Sequence, residues 1–254
     1  MFNEKCEVLQ NNQLASNVYE MVLKTDKLAK ESMPGQFIHV KINSGLYPLL
    51  RRPISINRTD KENDTVAIVY QVIGQGTEEM STIQKGTILD IMGPLGKGFP
   101  IFEGKRCAVV GGGMGTAPLL ELAHGLQQCD AYLGFRDEVY KLEEYQAACD
   151  KVAVATENGS LGYKGYVTEL LEKNINSYDI VYTCGPKVMM KIVADICSKN
   201  NVECYVSLEE RMACGIGACL VCACKVKGED AEWHHKKACK DGPVFNAKEV
   251  AFDA

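Results

Sequence analysis

The sequence contains no run of about 18 uninterrupted apolar residues, and its amino terminus, "MFNEKCEVLQ", has no basic segment leading into an apolar one. A membrane-spanning helix and a secretory leader are therefore not expected, and a cytoplasmic location is. Long Lys/Arg runs are missing too, and with a net charge of -5 nothing suggests a nucleic-acid footprint or a polybasic membrane patch. Internal repeats and low-complexity segments do not stand out. What the chain does have is 254 residues, 46% of them apolar, enough to bury a sizeable core. It also has twelve cysteines. In a short, loop-rich chain they would suggest a disulfide scaffold, but the patterning here is α/β. Cys6, Cys107, Cys129, Cys149, Cys184, Cys197 and Cys204 are scattered and are expected to be mostly reduced small hydrophobes.

Three stretches differ in pattern. Residues 1–100 hold short alternating apolar runs such as "QFIHVKI" and "DTVAIVYQVIG", separated by turn signals such as "MPG" and "KGT", which predicts an antiparallel barrel or sandwich. Residues 101–205 alternate strand with helix: "RCAVVGGG" runs into "TAPLLELAHGLQ", and "YDIVYTCG" into "KVMMKIVADICSK", ending in "VECYVSL". That alternation predicts a parallel sheet with helices on both faces. Residues 206–254 are cysteine-rich and short on periodic structure.

Within "RMACGIGACLVCACK", Cys214, Cys219 and Cys222 stand as Cys-x4-Cys-x2-Cys, the spacing of plant-type 2Fe-2S ferredoxins, where a fourth cysteine comes from further along. Zinc sites more often pair their ligands in two separated couples. Gly215 and Gly217 fall in the first gap, where a loop wrapping a cluster needs unusual backbone angles and amide N–H groups aimed at sulfur. For the fourth ligand, Cys224 follows Cys222 in an alternating run that would set both thiols along one strand face about 7 Å apart. A cage closes more easily with a residue from another segment, so Cys239 in "HHKKACKDGPVF" is preferred. With enough cysteines present, His234 and His235 are read as solvated loop residues rather than Rieske-type ligands.

"CAVVGGGMGTAPLLEL" places Gly111, Gly113 and Gly115 between a strand and a helix start, with Pro118 in the expected first turn. Glycines there let backbone approach a pyrophosphate, although Thr116 breaks the strict G-x-G-x-x-G spacing. Arg136 and Asp137 follow the second strand and point in opposite directions on NADP against NAD. The turn Cys184-Gly185-Pro186 ends another strand, where ligands of open α/β sheets bind, so Cys184 is a candidate to face a nicotinamide.

Upstream, "LLRRPISI", "VIGQGTEEMS" and "GTILDIMGPLGKGF", taken with "GGGMGTAPL" and "CGP", resemble the ferredoxin-reductase family over nearly the whole chain. Adding "EERMACGIGACLVCACK" and "DGPVF" makes the chain similar to the electron-transfer subunits of NAD-linked dihydroorotate dehydrogenases. The resemblance implies an FAD-binding β-barrel at 1–100, an NAD-binding α/β domain at 101–205 and a 2Fe-2S domain at 206–254. It makes Arg52, Pro53, Ile54 and Ser55 the flavin-contacting segment, sets Val69, Tyr70 and Gln71 along the flavin, and puts Gly76 and Thr77 at its phosphates. Glu78 and Glu79 fit a phosphate there only if they point away. The implied partner is an FMN-containing catalytic subunit in a heterotetramer of two plus two chains, which leaves no catalytic acid or base on this chain. The competing readings are a small flavin/iron-sulfur subunit of a ferredoxin:NADP or sulfide-type oxidoreductase, and a non-enzymatic iron-sulfur sensor.

Overall fold

The computed structural model describes residues 1–43, 45, 47–228 and 230–252. Alternation in the first stretch does produce strands. β1 (Phe2–Ala15), β2 (Val18–Lys24), β3 (Phe37–Lys41), β4 (Arg52–Asp60), β5 (Thr65–Gln71) and β6 (Ile88–Leu95) close into an antiparallel barrel of order β1-β2-β5-β4-β3-β6. Along β5, Val66, Ile68 and Tyr70 turn into the barrel core, with Met21 and Leu23 from β2 and Ile38 and Val40 from β3. Two short helices, α1 (Leu28–Glu31) and α2 (Gln75–Ser81), lie in the connections, and their Leu28 and Met80 are buried in the same core.

The second stretch builds a sheet from β7 (Arg106–Gly112), β8 (Gln128–Phe135), β9 (Lys151–Thr156), β10 (Tyr163–Lys164), β11 (Ile180–Cys184) and β12 (Glu203–Ser207), all parallel. Helices α3 (Leu119–Gly125), α4 (Leu142–Ala148), α5 (Val167–Glu172) and α6 (Lys187–Lys199) connect the strands. Met190, Val193, Ile196 and Cys197 form the buried stripe of α6, a 3.6-residue period packed on the sheet. The strand order is β10-β9-β8-β7-β11-β12, so chain progression reverses between β7 and β11. A crevice at the carboxyl ends of these two strands follows from that topology. The register pairs Cys184 with Gly111 there, so the two punctuated turns expected to carry ligand stand side by side. The helix after the glycines starts later than expected. A 3-10 turn over Gly113–Thr116 precedes α3, and Pro118 is its N-cap.

The third stretch holds a hairpin, β13 (Ala223–Lys227) with β14 (Trp233–Lys237), and a last strand, β15 (Val244–Asn246). β15 pairs antiparallel with β12, Val206 opposite Phe245, and becomes the seventh strand of the second sheet. β12 itself runs to Ser207, so the expected bound at 205/206 falls inside a strand and the tail shares a core with the nucleotide domain. The tail is clasped from both sides: Lys97 N–H donates to Gly242 O at 2.5 Å and Leu208 N–H to Pro243 O at 2.9 Å.

Candidate functional site

A cleft of about 650 Å³ lies where the three parts meet. The barrel contributes Phe37, Arg52 to Ser55, Val69 to Gln71 and Gly74 to Thr77. The sheet contributes Met114, Ala117, Pro118 and Cys184, and the tail contributes Ser207 to Met212 and Pro243. Every residue expected along a flavin is in that wall. Gly111, Gly113, Gly115, Gly185 and Pro186 are not, although Gly185 and Pro186 line a neighbouring pocket of about 430 Å³ with Glu209, Glu210 and Lys225.

The two neighbouring arginines have separate duties. Arg51 is half-buried and bound to Asp90, Nη2 to Oδ1 at 2.7 Å and Nη1 to the backbone oxygen at 2.7 Å. Arg52 reaches over Gly76, where an added Cβ would collide with its guanidinium, and donates to the Leu50 carbonyl. A glycine at 76 therefore keeps room for the Arg52 fork beside the cleft. Thr77 is spent on the helix: its hydroxyl accepts from Ile73 N–H at 3.0 Å and donates to Gly74 O at 2.9 Å. Glu79 is turned toward Asn43, accepting from Nδ2 at 2.8 Å. Tyr70 has its ring in the barrel core, stacked on Tyr19, with its hydroxyl donating to Asn11 at 2.8 Å. What it offers the cleft is mainly backbone.

The three glycines of the turn also divide. A Cβ on Gly111 would press on Thr116, and one on Gly115 would run into the Cys184 and Gly185 backbone. Gly111 lets the turn fold back closely on the end of β7, and Gly115 lets it pack on the end of β11. Gly113 alone faces open space, with φ +52, and its carbonyl accepts from the Tyr140 hydroxyl at 2.8 Å. Cys184 is buried, and that burial pushes its thiol pKa well up, so it faces the cleft protonated. Glu209 stands at the rim, exposed at its outer edge, while crowding around the carboxyl raises its pKa.

The cysteines of the tail assemble in pairs. The Cys219 thiol donates to the Cys214 sulfur at 3.2 Å, and Cys239 is buried in one cluster with Cys222. The Cys219 amide also donates to the Cys214 sulfur, at 3.4 Å. Together with N–H groups of Ile216 and Ala218 it holds the Cys214 thiol down to about 6. Gly215 and Gly217 have φ of +69 and +79, the angles a loop folding amides onto sulfur requires. Among the described residues no three His, Cys, Asp or Glu side chains converge where a single metal ion could sit. Two thiol pairs are instead what a centre of two irons asks of its ligands. Cys222 is not on the strand with Cys224, as the alternating run suggested. β13 begins at Ala223, so Cys222 packs with Cys239, Phe37 and Leu95, while Cys224 enters the nucleotide-domain core and donates to Lys236 O at 3.3 Å. His234 and His235 are exposed on β14, away from that packing.

The sequence did not single out Phe37, Met114, Glu209 or His39. Phe37 and His39 sat unremarked in "QFIHVKI", where strand alternation alone could have flagged two residues on the face opposite Ile38 and Val40.

The model of the iron-sulfur cluster binding domain of dihydroorotate dehydrogenase B matches residues 209–251. The chain is 48% identical over 250 residues to the dihydroorotate dehydrogenase B (NAD(+)) electron transfer subunit of Caldanaerobacter subterraneus subsp. tengcongensis, covering 98% of both chains. It is 40% identical over 251 residues to the corresponding subunit of Bacillus cereus (strain G9842), covering 96% of both. Among solved structures, a chain of the NADH-dependent reduced ferredoxin-NADP oxidoreductase superposes with a TM-score of 0.87 at 31% identity, over 98% of this chain and 90% of that one. The ferredoxin reductase of carbazole 1,9a-dioxygenase shares the fold, with a TM-score of 0.67 at 17% identity over 79% and 66% of the two chains.

Proposed function

The chain belongs to the family of electron transfer subunits of dihydroorotate dehydrogenase B (NAD(+)), and on that premise we propose how its residues carry electrons between a catalytic partner subunit and NAD. FAD lies in the barrel cleft, NAD approaches from the carboxyl ends of β7 and β11, and a 2Fe-2S cluster is held by Cys214, Cys219, Cys222 and Cys239. The observation that carries this reading is the position of β3. Phe37 both lines the cleft and packs with Cys222 and Cys239, so one strand separates the flavin site from the thiols.

The residues fit these groups. Among the described residues Arg52 has no carboxylate partner, and its fork of donors suits a pyrophosphate. Pro53 and Ile54 fix the strand, and Ser55 supplies a hydroxyl opposite Phe37 in the β3–β4 register. Thr77, tied up in capping, orders the Gly74–Gly76 backbone rather than offering its own hydroxyl. Gly113 leaves the turn open for a nucleotide, while Gly111 makes room for Thr116 and Gly115 holds the turn against Cys184. Cys184, kept protonated by burial, presents a small neutral wall at the flavin. When bound, a flavin exchanges electrons in pairs with a nicotinamide and singly with an iron-sulfur centre, which is why the three sites belong on one chain.

No residue of this chain is assigned to dihydroorotate. That chemistry belongs to an FMN-containing catalytic subunit, in an assembly of two plus two chains. Ile216, Leu220 and Val221 support a docking surface around the thiols, being 45%, 70% and 54% exposed on the loop that carries Cys214 and Cys219. Among the described residues no helix is long and apolar enough to cross a membrane. We place the protein in the cytoplasm, where reduced thiols on an α/β fold are at home. The solved ferredoxin-NADP oxidoreductase chain favours a second reading, the same electron-carrying unit serving a different partner. The deciding experiment adds the FMN subunit to the purified chain. The chain alone should oxidise NADH with artificial dyes but not dihydroorotate, and the complex should link dihydroorotate to NAD. Dihydroorotate turnover by this chain alone, or none by the complex, would reject the assignment.

A further inference from the structure

β3 alternates between two environments. Ile38 and Val40 face the barrel core, whereas Phe37 and His39 share the outer face. His39 is 0% exposed, and neither Nδ1 nor Nε2 has a hydrogen-bond partner among the described residues. Buried polar atoms are rarely left so, and a ring with both nitrogens orphaned marks a place where a partner belongs. The strand neighbours supply none: Pro53 and Met92 lie opposite His39 in the two registers, and Arg51 is committed to Asp90.

The open side of the ring faces the cysteine loop. A Cβ placed on Gly215 would stand 2.6 Å from Cε1, 2.8 Å from Nε2 and 3.0 Å from Nδ1. The nitrogen-bearing edge of the imidazole therefore lies against the residue that follows Cys214, and only glycine lets it come so near. Burial, then the Arg51 charge, lowers the imidazole pKa to about 4. The neutral ring has one N–H to give. Four thiols already satisfy a two-iron centre, so a donor is needed there rather than another ligand.

We propose that His39 donates a hydrogen bond to a sulfur of the iron-sulfur centre and so sets its reduction potential, acting as a positioning residue on the barrel wall between cleft and cluster. This rests on the ligand set Cys214, Cys219, Cys222 and Cys239. Hydrogen bonds to sulfur stabilise the more electron-rich reduced state and raise the potential. Removing the donor lowers it.

The test uses the cluster-bearing chain with 15N-labelled histidine. Pulsed EPR of the reduced cluster should show a histidine nitrogen coupling in the wild type that is lost in His39→Leu. An EPR-monitored titration should show a more negative potential in His39→Leu, with His39→Gln, which keeps an N–H, lying nearer the wild type. Iron per chain should be the same in all three. Loss of iron in Cys239→Ser checks the ligand set separately, so a failure of that reading is told apart from a failure of this one. A wild type without the coupling, a coupling that persists in His39→Leu and so comes from another histidine, or an unmoved potential in an iron-replete His39→Leu overturns the proposal. Should His39→Leu not fold, His39→Gln decides: it carries no labelled histidine nitrogen at this position, so it must lose the coupling, and a coupling that persists in it overturns the proposal.

Discussion

Serine placed separately at Cys224 and at Cys239 should have opposite effects on iron and stability, because the two thiols lie in different cores. Cys224 is packed among Val226, Val206 and Phe245 on the nucleotide-domain side, and its thiol already donates to Lys236 O at 3.3 Å. Serine keeps a donor for that carbonyl, so no acceptor is orphaned. What is lost is the apolar bulk of one sulfur, a cost of about 1 kcal/mol. For a chain of this length that corresponds to a fall in Tm of about 2–4 °C. Iron and acid-labile sulfide per chain should not change. Cys239 lies buried with Cys222, Phe37 and Leu95. Serine there replaces a soft thiolate by a hard oxygen at one of four positions, and most of the iron and the reduced-state EPR signal should be lost. Iron analysis, EPR and a thermal melt on the same preparations settle the matter. Loss of iron in Cys224→Ser with retention in Cys239→Ser would refute the reasoning and move the fourth ligand onto β13.

Arg52→Ala should weaken FAD binding by about 1.5–3 kcal/mol, tenfold or more, measured as flavin retained through gel filtration and dilution. Gly76→Ala should do the same by displacing the guanidinium. Arg51→Ala should instead lower the Tm, since its pair with Asp90 is only partly screened and is worth about 1 kcal/mol, and leave flavin in place. Gly113→Asn, a side chain that tolerates the φ of +52 there, should leave the flavin spectrum intact while slowing its reduction by NADH, whereas Gly115→Val should destabilise the nucleotide domain itself by about 1–3 kcal/mol or more through collision with the Cys184–Gly185 backbone. NADH should reduce the flavin faster than NADPH; the reverse would make Arg136 the candidate for a 2′-phosphate.

Local chemistry is what the sequence by itself determined. Period-two alternation in "DTVAIVYQVIG" specified a strand, because a strand has only two faces; the fold decided that Val66, Ile68 and Tyr70 are the ones turned inward. The 3.6-residue stripe of α6 and the glycine-punctuated strand ends specified an α/β sheet in the same way. Spacing of Cys214, Cys219 and Cys222, with glycines between, marked a loop that wraps sulfur. Tertiary structure decided everything that depends on which distant segments meet. Pairing of β15 with β12 joined the tail to the nucleotide sheet. A turn at Leu220–Ala223 broke the apparent alternation and sent Cys222 and Cys224 into different cores. Asp90 took Arg51 and left Arg52 to the cleft, a division invisible in "RR" because both side chains are the same. Gly111, Gly113 and Gly115 look equivalent in a motif, yet only the fold shows that two are pinned by close backbone contact and one is open. His39 shows this most plainly. Its residue type is ordinary in a strand, and it acquires meaning only because strand β3 brings it, buried and without a partner among the described residues, against Gly215 from the far end of the chain.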